Sequence, residues 1–217
     1  MNYLAHLAVA TATSASPRYG LGAILSDLCA MSGLHCTYGR LSGEVAAGVQ
    51  CHRAADRAFH ADPVFLAGAG AIRSAALAAG LPPGASRAIG HAGWELLLDG
   101  TPAVGWAGPW LVAALREWEA ATVAFDPAEL ATWRRLAEGM AAERPWTASC
   151  DPEVVAGRLW RALGHRPRLG FERRDQPVVA NLLAQARPSV LAQAAPLVER
   201  VIGRVAMKPD GTEVAER

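Results

Sequence analysis

The chain has 217 residues, a formal net charge of +1 and 52% hydrophobic residues, enough to bury about two thirds of its unfolded surface around one core without disulfide or metal staples. A charge so near zero excludes the broad basic footprint of a nucleic-acid binder, and no run approaches the ~20 apolar residues of a membrane span. Cys29, Cys36, Cys51 and Cys150 form no CxxC pair and no zinc-ribbon spacing. With no convincing export signal, the expectation is a reduced, cytoplasmic protein.

Abundant alanine, scattered Val, Ile and Thr, and Gly and Pro between apolar-periodic segments predict an all-α chain. The expected architecture is a single-domain helical bundle over residues 1–208, with a frayed polar tail at 209–217. The first helix is expected near residues 3–12, in an apolar opening that faintly resembles a signal core but lacks a basic start and is interrupted by His6. A second, near 19–30, carries Asp27. Helices near 42–60 and 63–79 meet at Asp62-Pro63, where Asp as N-cap and Pro at the first helical position form a strong start signal. Asp126-Pro127 and Asp151-Pro152 repeat that signal.

Pro82-Pro83-Gly84 marks a break before a helix near 86–99, and Arg144-Pro145 marks another after helices near 103–123 and 127–142. Helices near 152–163, 176–186 and 188–206 complete the chain, with Gly164 to Asp175 a basic loop carrying Arg166, Arg168, Arg173 and Arg174. Trp106, Trp110 and Trp118, spaced by four and eight, read as core packing.

Two of these helices carry ionisable groups at a four-residue step: His52, Asp56 and His60 in the third, and His91, Glu95 and Asp99 in the fifth. Each step of four advances ~400° around a helix and ~6 Å along it, so each set is a near-straight stripe on one face. Imidazoles and carboxylates on an otherwise apolar surface are costly to bury unless they pair or bind a cation. Residues eight apart lie ~12 Å apart along the axis, so six residues cannot hold one ion, but His52 with Asp56 and His91 with Glu95 can each offer two ligands one turn apart. Asp99 precedes Gly100 and reads as a plain helix-end residue, and Asp62 as an N-cap. Arg53 points about 100° away from His52, where a guanidinium can receive a phosphate. No GxSxG, Walker loop or strand-linked GxGxxG is present.

MNYLAHL at the N-terminus, the later AILSDL, and GVQCHRAADRAFHADP resemble the acyl carrier protein phosphodiesterase family, whose members begin MNFLAHL or MNYLAHL and continue with Leu-Leu-x-Asp and G-I-x-x-H-R-x-I-D-x-x-T-D-x-H-P segments. The specific motifs cover about the first hundred residues. The resemblance implies an all-helical, HD-domain-like fold and manganese-dependent hydrolysis of the phosphodiester that joins phosphopantetheine to a carrier-protein serine. It places Asn2, His6, Asp27, His52, Arg53, Asp56 and Pro63 at family positions. His60 and Asp62 stand where the family has Asp and His, and His91, Glu95 and Leu96 align with a family Asp-x-x-x-Asp-His segment. The resemblance makes manganese the first expectation, and the richer imidazole set, which favours transition metals, also admits iron or zinc.

The expected function is therefore metal-dependent hydrolysis of a phosphodiester or acyl-type ester, on a carrier-protein-linked or small-molecule substrate in specialised biosynthesis. Asp27, His52, Asp56, His91 and Glu95 are the candidate metal ligands. His60, Arg53 and His6 are the candidate catalytic groups, and Asn2 and Arg53 the candidate substrate contacts. A helical non-haem di-metal oxidase fits the same residues. So does a non-catalytic scaffold that binds a carrier protein or metabolite and keeps the stripe as a hydrogen-bonded network.

Overall fold

The computed structural model describes residues 2–143 and 151–207. Among them it is all-α, with ten α-helices: α1 Tyr3–Thr13, α2 Pro17–Ser32, α3 Gly43–His60, α4 Pro63–Ala78, α5 Pro83–Asp99, α6 Pro102–Gly105, α7 Gly108–Arg116, α8 Pro127–Glu143, α9 Pro152–Leu163 and α10 Gln176–Ala206. The Arg144-Pro145 break, Cys150 and the polar tail from Pro209 lie outside the described residues. No described helix is long and apolar enough to cross a membrane.

α1 is the axis of the bundle. Every residue from Tyr3 to Ala10 is buried, as a helix apolar on all sides requires, and α2, α3, α5, α6, α7 and α10 all pack on it. Its opening turn rests on Asp99, which is completely buried and accepts hydrogen bonds from the Leu4 amide (3.2 Å) and the Ala5 amide (3.0 Å). Those are two of the amides that an α-helix leaves without an internal partner, so Asp99 corrects the plain helix-end reading. Its carboxylate fixes the start of α1, and so the position of His6, against the end of α5.

α2 and α3 pack at backbone contact. A Cβ on Gly22 would sit 2.0 Å from the Val45 carbonyl oxygen, and one on Gly48 2.0 Å from that of Tyr19. Only glycine permits this approach. Asp27 lies five residues beyond Gly22 and His52 four beyond Gly48, so the glycine contact is what draws α2 and α3 together beside the site.

Several expected boundaries differ. The helix expected from 86 begins at Pro83, because a proline at the first turn costs no hydrogen bond. The helix expected over 103–123 is three pieces, α6, α7 and a 3₁₀ segment Trp118–Ala124. Gly105, Gly108 and Pro109 stop one helix and start the next, which breaks the tryptophan register and leaves Trp106 and Trp110 exposed, not in the core. The expected pair 176–186 and 188–206 is one helix that runs through Pro188 and Pro196. Val179, Leu183, Val190, Ala194, Leu197 and Val201 bury one unbroken apolar stripe across both prolines, and that packing outweighs the lost amides.

The Asp-Pro starts hold at α4 and α9, where Asp62 and Asp151 accept from the Val64 and Glu153 amides at 3.0 and 2.8 Å. Asp62 does more than cap. It is fully buried and takes two hydrogen bonds from Arg200 (both 3.1 Å), with Arg204 3.6 Å away, so α10 is tied across the α3–α4 corner.

Candidate metal centre

The two stripes meet where α3 ends against the middle of α5. His60 Nε2 lies 3.0 Å from Glu95 Oε1 and 3.2 Å from His91 Nε2, and His91 Nε2 lies 3.2 Å from Glu95 Oε1. His60 Nδ1 faces Asp56 Oδ2 at 3.2 Å. This group opens to solvent: the His91 side chain is 50% exposed, His60 30% and Glu95 14%.

A second group forms deeper, from three helices. His6 of α1, Asp27 of α2 and His52 of α3 each offer a ligand atom within 4.8 Å of the others. His6 Nδ1 donates to Asp27 Oδ2 at 2.8 Å, His52 Nδ1 donates to the Ala23 carbonyl at 2.9 Å, and the two rings lie 3.9 Å apart at their centroids. Because a carbonyl can only accept, His52 carries its proton on Nδ1 and presents the lone pair of Nε2. Burial, and after it the charge of His6, holds the His52 imidazole down to about 4, so that lone pair is available at neutral pH.

His6 is the group's buried anchor. Burial pulls its pKa down, but the charge of Asp27 and the bond to it lift it above the ordinary value. Its Nε2 is buried without a hydrogen-bond partner, and Asp56 Oδ1 stands 3.7 Å off. That is too long for a hydrogen bond but within the span of two ligands on one ion with bonds of ~2.0–2.2 Å. An orphaned imidazole nitrogen, a bare imidazole lone pair and the partly exposed Asp56 carboxylate make a donor set that fits a divalent transition metal.

Asp56 therefore links the groups, one oxygen toward His6 and the other toward His60. Burial opposes its ionisation, yet the imidazoles of His6 and His60 hold it far below the usual carboxylate range. Glu95 behaves likewise beside His60 and His91. His60, against the pull of burial, is lifted to about 9 by its bonds to Asp56 and Glu95. Asp99, behind the deep group, is pushed up to about 7 by burial in spite of its two amide bonds.

The sign of the His60 shift sets a pH dependence for the metal-free protein. A folded value above the unfolded one of 6.5 gives stability that is complete below 6.5 and lost as pH rises through about 9. For a side chain partly open to water the loss between pH 7.5 and 10 is expected to be on the order of 1–2 kcal/mol. Urea midpoints in chelator at the two pH values, for wild type and His60→Gln, test this: equal drops in both proteins would contradict it.

Of the expected site residues, the structure gathers Asp27 and His52 with His6, gathers His91 and Glu95 with His60, and sets Asp56 between. Arg53 is exposed, its guanidinium 5.9 Å from the Tyr38 ring centroid. Asn2 precedes α1, and its Nδ2 is buried without a partner, a donor suited to an oxyanion. Sequence reasoning missed Ala23 and the Gly22–Gly48 contact; the glycines were visible, but their pairing depends on helix packing.

Comparison of the chain with protein-family models, with curated proteins and with solved structures returned no match.

Proposed function

We propose that the protein is a metal-dependent hydrolase of phosphodiester or acyl-type ester bonds, acting on a carrier-protein-linked or small-molecule substrate. The observation that carries this reading is the gathering of His6, Asp27 and His52 from three helices, with ligand atoms within 4.8 Å of one another, and His6 Nε2 buried without a hydrogen-bond partner 3.7 Å from Asp56. These four residues are among those that the resemblance to acyl carrier protein phosphodiesterases marks in the sequence, and the all-α fold agrees with it. The HD-like relationship and a preference for manganese belong to the same proposal.

A bound divalent ion would supply Lewis acidity and a water acidified toward pKa ~7. The chain's own residues do the rest. His6 Nε2, His52 Nε2 and the Asp56 carboxylate would hold the ion, with Asp27 bracing His6 from its Nδ1 side. The Nδ1 bonds of His6 and His52 to Asp27 and Ala23 lock both rings in the tautomer that leaves Nε2 free for it. Asn2 Nδ2 would donate to a non-bridging oxygen of the substrate, and the exposed Arg53, next to His52 in sequence, would balance phosphate charge. His60, bonded to Asp56, is the proton donor to the leaving oxygen in this reading, a role open to it only while its Nε2 carries no ion.

The test is hydrolysis of bis(p-nitrophenyl) phosphate and of phosphopantetheinylated carrier protein, with and without added manganese and with chelator. Metal-restored turnover of either supports the proposal. Absence of turnover on phosphodiester, thioester and oxygen-ester probes alike would overturn it, and oxygen consumption with ferrous iron would move the assignment to a helical di-metal oxidase.

A further inference from the structure

We infer that His60, His91 and Glu95 form a second, solvent-open transition-metal site, distinct from the buried His6, Asp27 and His52 group and joined to it through Asp56. It goes beyond the proposed hydrolysis and does not depend on it, because it rests on the spacing of three ligand atoms.

Two ligands on one ion with bonds of ~2.0–2.2 Å lie ~2.9 Å apart at a right angle and ~3.4 Å apart at the tetrahedral angle. The three edges here are 3.0, 3.2 and 3.2 Å. The triangle is thus already one face of a coordination shell, and an ion ~1 Å above its plane would meet all three atoms at bonding distance without moving a helix. The 3.2 Å between the two Nε2 atoms is hydrogen-bond distance, so a single proton can hold them together beside Glu95, and a cation above the triangle would take that proton's place.

The supports are also those of a ligand. Asp56 Oδ2 faces His60 Nδ1 at 3.2 Å, so the carboxylate holds the proton on the far side of the ring and turns Nε2 toward His91 and Glu95. The His60 and His91 rings stack at 4.7 Å with their planes only 22° apart, and Phe65 meets both rings edge-on at 5.1 and 5.2 Å. Packing therefore holds the two imidazoles side by side with both Nε2 atoms forward. Two histidines and one carboxylate on one face, with the opposite face open to water, suit zinc, ferrous iron or manganese and leave positions for a second small ligand.

His91 is half exposed, so His91→Ala removes a ligand without opening the core. The experiment counts zinc bound by the whole protein after chelation and reloading, in wild type, His91→Ala, Glu95→Gln and His52→Ala, and records the visible spectrum of the cobalt-loaded proteins. His91→Ala and Glu95→Gln are each expected to weaken one equivalent at least ~100-fold, more than the loss of a supporting group costs, and to remove its cobalt bands. His52→Ala is expected to keep that equivalent. Equal zinc content and equal cobalt spectra in wild type, His91→Ala and Glu95→Gln would overturn the inference. If His52→Ala abolishes hydrolysis while the His91-dependent equivalent remains, the two sites are separate; if no variant hydrolyses anything but the zinc count still falls by one in His91→Ala, the second site stands and only the proposed hydrolysis fails.

Discussion

Asp27→Ala and His52→Ala are each expected to lower metal-dependent hydrolysis by ~10³-fold or more, about 4 kcal/mol of transition-state stabilisation, with the fold intact. His52 presents a bare Nε2 because its single proton sits on Nδ1, donated to the Ala23 carbonyl, and burial keeps the ring neutral; alanine removes that ligand. Asp27 has two roles, as a carboxylate of the group and as acceptor from His6 Nδ1 at 2.8 Å. Its loss frees the His6 ring to turn and leaves a buried imidazole short of its counter-charge. Arg57→Ala, on the exposed face of the same helix, is the matched control and should leave the rate unchanged. Steady-state rates at saturating manganese, with circular dichroism on each variant, decide the matter. A fall below tenfold in both site variants would show that the chemistry lies elsewhere.

Gly22→Ala is expected to destabilise the protein by about 3 kcal/mol or more. The added carbon would meet the Val45 carbonyl oxygen at 2.0 Å, its carbonyl carbon at 2.9 Å and Gly48 Cα at 3.0 Å. All three are backbone atoms, so no side chain can swing away and α2 must part from α3. For a chain of this size the melting temperature should fall by roughly 6–12 °C, and the affinity of the deep group for metal should fall with it, since Asp27 and His52 ride on the two separated helices. A melting point within 2 °C of wild type would show that the close approach is not a constraint.

Much of the helical layout was legible in the sequence, because proline and aspartate act locally. Asp62-Pro63 and Asp151-Pro152 start helices by satisfying amides within three residues, and tertiary packing has no say in that. Pro188 and Pro196 show the opposite case: the local rule predicts a break, but a stripe of buried Val, Leu and Ala residues spanning both prolines keeps α10 whole. The two polar stripes were legible as stripes, since a step of four is a property of one helix. Their division into a deep and an open group was not, because it depends on α1 inserting His6 between α2 and α3 and on the height at which α3 meets α5. Asp99 was hidden for the same reason. Its amide partners lie on α1, 94 and 95 residues away in sequence. Asp62 disclosed its capping role but not Arg200, its partner 138 residues along the chain.

The most direct test is anomalous diffraction from crystals of the intact protein soaked in manganese or zinc, recorded on both sides of the metal's absorption edge. The account predicts one peak within bonding distance of His6 Nε2 and His52 Nε2, and another capping the His60, His91 and Glu95 triangle. Density confined to other surfaces of the molecule, with both groups empty under saturating metal, would contradict it.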